Sequence, residues 1–113
     1  MSDDDRRGSK RLDVELDIDL STYGPYFLSK LKNISSGGAF IQTKELQSIG
    51  TEIKLRFRLP GEENLIEAKG KVAWVYTQPG KTRPNASGIG VQFTDISEGA
   101  RLRIQDFVYK STT

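Results

Sequence analysis

The chain has 113 residues, a length that suits one domain with a single core. It contains neither cysteine nor histidine, which excludes a thiol nucleophile, a disulfide, a Cys/His zinc site and a Ser-His-Asp triad. With 35% apolar and 28% charged residues it has the composition of a globular domain, and a formal net charge of +2 is too small to argue for duplex nucleic acid.

No apolar run approaches the length of a membrane span, and Met1 to Lys10 lacks the apolar stretch of a signal peptide. The expected location is therefore cytoplasmic, away from any membrane. The charge is unevenly spread: Asp3, Asp4 and Asp5 are followed at once by Arg6, Arg7, Lys10 and Arg11. Residues 1–11 read as a flexible arm whose cations suit an anionic ligand, the plainer alternative being a solubilising tail.

From Leu12 the pattern changes. Leu12, Val14, Leu16, Ile18 and Leu20 alternate with Asp13, Glu15, Asp17 and Asp19, the period of a half-buried strand. That period assigns the carboxylates to the solvent face, not to a catalytic row. Ser21 to Pro25 supplies a turn, and Tyr26 to Asn33 forms a second strand. Ser35-Ser36-Gly37-Gly38 breaks it, and Ala39 to Gln42 is a short third strand. Ile53 to Leu59 alternates again, Pro60 to Asn64 is a hairpin turn, and Leu65 to Tyr76 returns with Trp74 near its end. A polar loop from Gln78 to Ser87 precedes the last strand, Gly88 to Thr94. Ser97 can cap a helix in which Ala100, Ile104, Phe107 and Val108 form one apolar face and which ends near Lys110. The expected fold is mainly β: an antiparallel barrel of six to seven strands spanning residues 12–110, with a C-terminal helix over 96–110 covering an open end or a sheet edge.

Two short patterns carry the functional reading. Arg7-Gly8-Ser9-Lys10-Arg11 is an Arg-x-x-x-Arg just before the first strand, and Asn33-Ile34-Ser35-Ser36-Gly37-Gly38 is an Asn-x-Ser-x-x-Gly where the second strand ends. Alone, the second is simply a turn in which Asn and Ser bond their own backbone. In this order around a barrel, the two resemble the PilZ domain family of bacterial cyclic di-GMP receptors. The segments Asn33 to Phe40, Lys69 to Val75 and Gly88 to Ser97 resemble the family as well, so the likeness runs over nearly the whole chain.

The resemblance implies a binding protein and no enzyme, with cyclic di-GMP as ligand and no cofactor. It assigns the ligand to Arg6, Arg7, Arg11, Asn33, Ser35 and Gly38, with Lys10, Ser36, Gly37, Gly88 and Gly90 as secondary candidates. A guanidinium fork grips the O6/N7 pair of guanine and also stacks on purines, which lysine does poorly. Backbone N–H groups from Ser36 to Gly38 form a possible anion nest, and Gly38 either permits close backbone approach or takes a positive φ. A basic Arg6 before the first motif arginine implies, by the same resemblance, two intercalated ligand molecules. Trp74 is expected in core or barrel-surface packing. The expected output is a signal passed to an unidentified downstream protein, with motility regulation, exopolysaccharide synthesis and transcription all compatible. The alternative is a PilZ-like protein–protein interaction module without ligand. A binder of single-stranded nucleic acid fits less well, because the outer face of the first strand is acidic.

Overall fold

A computed structural model describes residues 10–44, 47–77 and 87–112. Six strands run β1 (Leu12–Ser21), β2 (Phe27–Ser35), β3 (Gly38–Gln42), β4 (Glu52–Phe57), β5 (Ile66–Tyr76) and β6 (Gly88–Ile96), followed by helix α1 (Glu98–Thr112). They close into an antiparallel barrel in the order β1-β2-β3-β6-β5-β4, with β4 returning to β1. Closure leaves no unpaired sheet edge, so the helix has an open end to cover and no edge. Ala100, Ile104 and Val108 of α1 belong to the same buried cluster as Ile18, Leu31 and Phe57 of the barrel. A closed barrel admits outside residues to its interior only at an end, and α1 therefore plugs one. Ser97 caps it as its local chemistry predicts: the Ala100 N–H donates to Ser97 Oγ at 3.1 Å.

A second bond set fixes the plug. Arg103 Nε donates to Glu62 Oε1 at 2.9 Å and Arg103 Nη2 donates to the Asn64 carbonyl at 2.8 Å, tying α1 to the β4–β5 turn. The pair is half-buried, so the bonds are only partly screened. Arg103→Ala is expected to lower unfolding free energy by about 1–2 kcal/mol in a urea titration. A loss below the error of that measurement would mean that apolar packing alone seats the helix.

The alternation of β1 holds from Leu12 to Leu20. Ile18 and Leu20 are buried, while the carboxylates face outward and meet cations across the strand pairs. Lys32 Nζ lies 3.0 Å from Glu15 Oε1, Lys30 Nζ 2.6 Å from Asp17 Oδ1, and Arg56 reaches toward Asp19 while stacking on the Tyr26 ring. These carboxylates are strand surface. The Lys32 hydrogen bond and charge hold Glu15 below its ordinary pKa of 4.5, and Asp17 does the converse to Lys30, raising it above 10.5. Glu15's contribution is complete above its unfolded pKa and is lost as pH falls through the lower folded value. Lys30's is complete below its unfolded pKa and is lost as pH rises through the higher folded one. Melting temperature should therefore stay level from about pH 6 to 9 and sag only outside that range. A marked transition near neutrality would contradict this account, since the chain has no histidine to supply one.

Two irregularities matter more than the regular pairing. Leu31 and Ile34 are both fully buried although three residues apart, which simple alternation forbids. The register of β2 slips between Leu31 and Asn33 against β3, so the outward face is handed to Asn33. A second slip between Val72 and Trp74 on β5 turns Trp74, which alternation would bury beside Val72, to the outside.

Candidate ligand-binding site

The hairpin between β2 and β3 has only Ser36 and Gly37 between the paired residues Ser35 and Gly38. Ser35 is 2% exposed, and its hydroxyl holds the turn: Oγ accepts from the Gly37 N–H at 3.2 Å and faces the Gly38 carbonyl at 3.4 Å. Its hydroxyl is thus already engaged within the loop. Gly38 does not adopt a positive φ; among the described residues only Gly50 and Gly61 do. Its need is steric: a Cβ there would sit 2.3 Å from the Val91 carbonyl oxygen, because β6 pairs tightly against it.

The same crowding explains the glycines of β6. A Cβ on Gly90 would lie 2.1 Å from the Trp74 ring, and one on Gly88 would strike the Ile41 carbonyl at 2.5 Å and the Phe40 ring. Gly90 pairs with Phe40 on one side and Trp74 on the other. The bare backbone lets the two rings meet above it, stacked with centroids 5.2 Å apart and planes 11° from parallel. Trp74 remains 45% exposed, enough to offer a face to a ligand.

Beside this stack lies a surface concavity of about 190 Å³, walled by Arg11, Gly37, Gly38, Trp74, Gly90 and Gln92 among others. Arg11 Nη1 donates to Asn33 Oδ1 at 2.8 Å, bridging the N-terminal motif and the strand-end motif. Lys10 turns away and lies 5.2 Å above the Tyr109 ring of α1. The structure thus brings together Arg11, Asn33, Gly37, Gly38 and Gly90, with Ser35 beneath. Ser36 sits at the hairpin tip, and Gly88 and Lys10 lie outside the concavity's lining. Arg6 and Arg7 lie outside the described residues. Trp74 and Gln92 were not singled out as site residues by sequence reasoning. The glycine two residues from Gln92 and one pairing away from Trp74 was the available signal, but it becomes legible only once β5 and β6 are in register.

Comparison with known proteins places the fold. A family model described as PilZ domain matches residues 5–110. The chain belongs to the PilZ domain family. Its fold is similar to that of the Bacillus subtilis inhibitor of motility MotI/DgrA, with a TM-score of 0.78 and 21% identity over 90% of this chain and 49% of that one. It is also similar to K. pneumonia MrkH in its c-di-GMP complex, with a TM-score of 0.70 and 19% identity over 92% of this chain and 51% of that one. A third likeness is to Borreliella burgdorferi PlzA in complex with c-di-GMP, with a TM-score of 0.56 and 20% identity over 96% of this chain and 38% of that one. This PilZ chain thus spans about half the length of the first two. A comparison with curated proteins found no match. Among the described residues, no helix is long and apolar enough to cross a membrane.

Proposed function

We propose that this PilZ domain binds cyclic di-GMP, without performing chemistry on it, and passes the occupancy signal to a partner protein. The observation that carries the reading is the Arg11–Asn33 bond beside an exposed, stacked Trp74. It puts a guanidinium fork, an amide and an aromatic face around one concavity. Guanine fits the arrangement: its O6/N7 edge takes the fork, which the Asn33 amide holds in place, and its ring takes the stack. The concavity is smaller than the roughly 300–1,000 Å³ usual for ligand pockets, so further groups must complete the site. Arg6 and Arg7 are assigned that role, gripping the remaining base edge and the phosphates. The backbone N–H of Ser36 at the hairpin tip is a candidate for phosphate contact. Among the secondary candidates, Gly88 acts by making room for Phe40, and Lys10 by its contact with α1.

Isothermal titration with cyclic di-GMP tests the reading. Saturable binding with two ligand molecules per chain is expected, lost when Arg7→Ala and Arg11→Ala are combined. A single ligand per chain would remove the role given to Arg6. Absence of binding in the unmodified protein would favour the interaction module instead.

A further inference from the structure

Resting on that reading, we propose that Gln92 sets specificity for guanine, its side-chain Oε1 accepting a hydrogen bond from the exocyclic 2-amino group. The argument is one of hydrogen-bond satisfaction. Guanine carries acceptors at O6 and N7 but donors at N1 and at the 2-amino group. Arginine and the indole of tryptophan donate only, so Arg11 and Trp74 can serve the acceptors and the ring but not the donors. A donor desolvated against the protein without a partner costs about 1–3 kcal/mol. A site that selects guanine through these donors needs an acceptor beside its own donors, and a side-chain acceptor is the kind a substitution can test.

Gln92 is the one such side chain among the described residues that wall the concavity. The obvious alternatives are engaged: Asn33 Oδ1 takes the Arg11 guanidinium, and Ser35 Oγ takes the Gly37 N–H. Gln92 is exposed, and its side-chain amide makes no hydrogen bond to another described residue. Its placement follows from the strand. On β6 the outward positions are Gly88, Gly90 and Gln92, so Gln92 is the first outward side chain beyond the bare backbone under the Trp74 ring. Directly across on β3 stands Gly38, which has no side chain to crowd the amide.

The test compares cyclic di-GMP with cyclic di-IMP, whose hypoxanthine bases keep O6, N7 and N1–H but lack the 2-amino group. The unmodified protein is expected to prefer cyclic di-GMP by about tenfold. Gln92→Leu should bring the two ligands within about twofold by weakening cyclic di-GMP alone, and Gln92→Glu, which keeps an acceptor, should retain the preference. The position is exposed, so neither variant threatens the fold. Equal weakening of both ligands by Gln92→Leu, an undiminished preference in that variant, or loss of the preference in Gln92→Glu would each overturn the proposal. Failure of the unmodified protein to bind either ligand would overturn the receptor reading and this inference with it, and it registers before any substitution is made.

Discussion

Alanine at position 38 is expected to destabilise the protein by about 2–3 kcal/mol, a far larger effect than a single methyl group suggests. The added Cβ would sit 2.3 Å from the Val91 carbonyl oxygen and 3.3 Å from the Gln92 Cα. Both are backbone atoms of a strand locked on each side, by β3 and by β5, and neither can rotate aside as a side-chain end could. The strain must open the β3–β6 pairing at the point where the hairpin is anchored by the Phe93 N–H donating to the Gly37 carbonyl at 2.9 Å. For a domain of this size that corresponds to a melting temperature lower by roughly 10–20 °C. Gly37→Ala is the control: its Cβ would meet nothing closer than Ser35 Oγ at 4.0 Å, and its φ is not positive, so its stability should stay within about 0.5 kcal/mol. Thermal and denaturant melts of the two variants decide the matter. Similar stabilities for both would show that β6 yields, and that Gly38 is there for another reason. On the receptor reading, Gly38→Ala should also weaken cyclic di-GMP binding, though less than Arg11→Ala, because the opened pair widens the concavity wall that Gly38 and Gln92 share.

These two neighbouring glycines illustrate which parts of the fold could be read from sequence. Local chemistry was legible: the Asp/apolar alternation of β1, the turn residues of the hairpins and the Ser97 cap are each set by residues within a few positions. The family motifs were legible too, and the family they implied is the one whose model matches residues 5–110. The choice between two physical roles for Gly38 was not. Whether a glycine serves a positive φ or a close approach depends on the strand opposite, and Val91 is more than fifty positions away in sequence. The same holds for the slips at Lys32 and Ala73. A bulge breaks the alternation of one strand, as Leu31 and Ile34 do, but which residue is turned outward is decided by the strand it pairs with. Trp74 packs against Phe40 on the barrel surface, one of the two placements expected for it, and the slip at Ala73 that decides between them shows only in the pairing. The ends of the strands shifted for a related reason. β4 ends at Phe57 although Leu59 continues the alternation, because the pairing with β5 stops at Phe57 and Ile66, and Leu59 joins the core without a strand partner.

Arg11→Ala is expected to weaken cyclic di-GMP binding at least about 100-fold, the largest functional loss from a single described residue. The reasoning starts from the state without ligand. Arg11 Nη1 already donates to Asn33 Oδ1, so the side chain is held over the concavity before anything binds. A guanidinium has five N–H donors in one rigid fork, and this bond uses one of them. The remaining donors can reach a guanine O6/N7 edge without breaking the Asn33 contact, so little rotamer entropy is left to lose on binding. Arg11→Lys should rescue only a small part of the affinity, because an ammonium cannot hold Asn33 and two base acceptors in one plane. Asn33→Ala should cost less than Arg11→Ala, since the fork survives but is no longer held. The double variant should be no worse than Arg11→Ala alone, which is the signature of one residue acting through the other. Titration calorimetry on the four proteins gives the cycle directly. Strict additivity of the two losses would mean that Asn33 meets the ligand by itself. The Arg11–Asn33 bond would then have to break before binding instead of preparing for it.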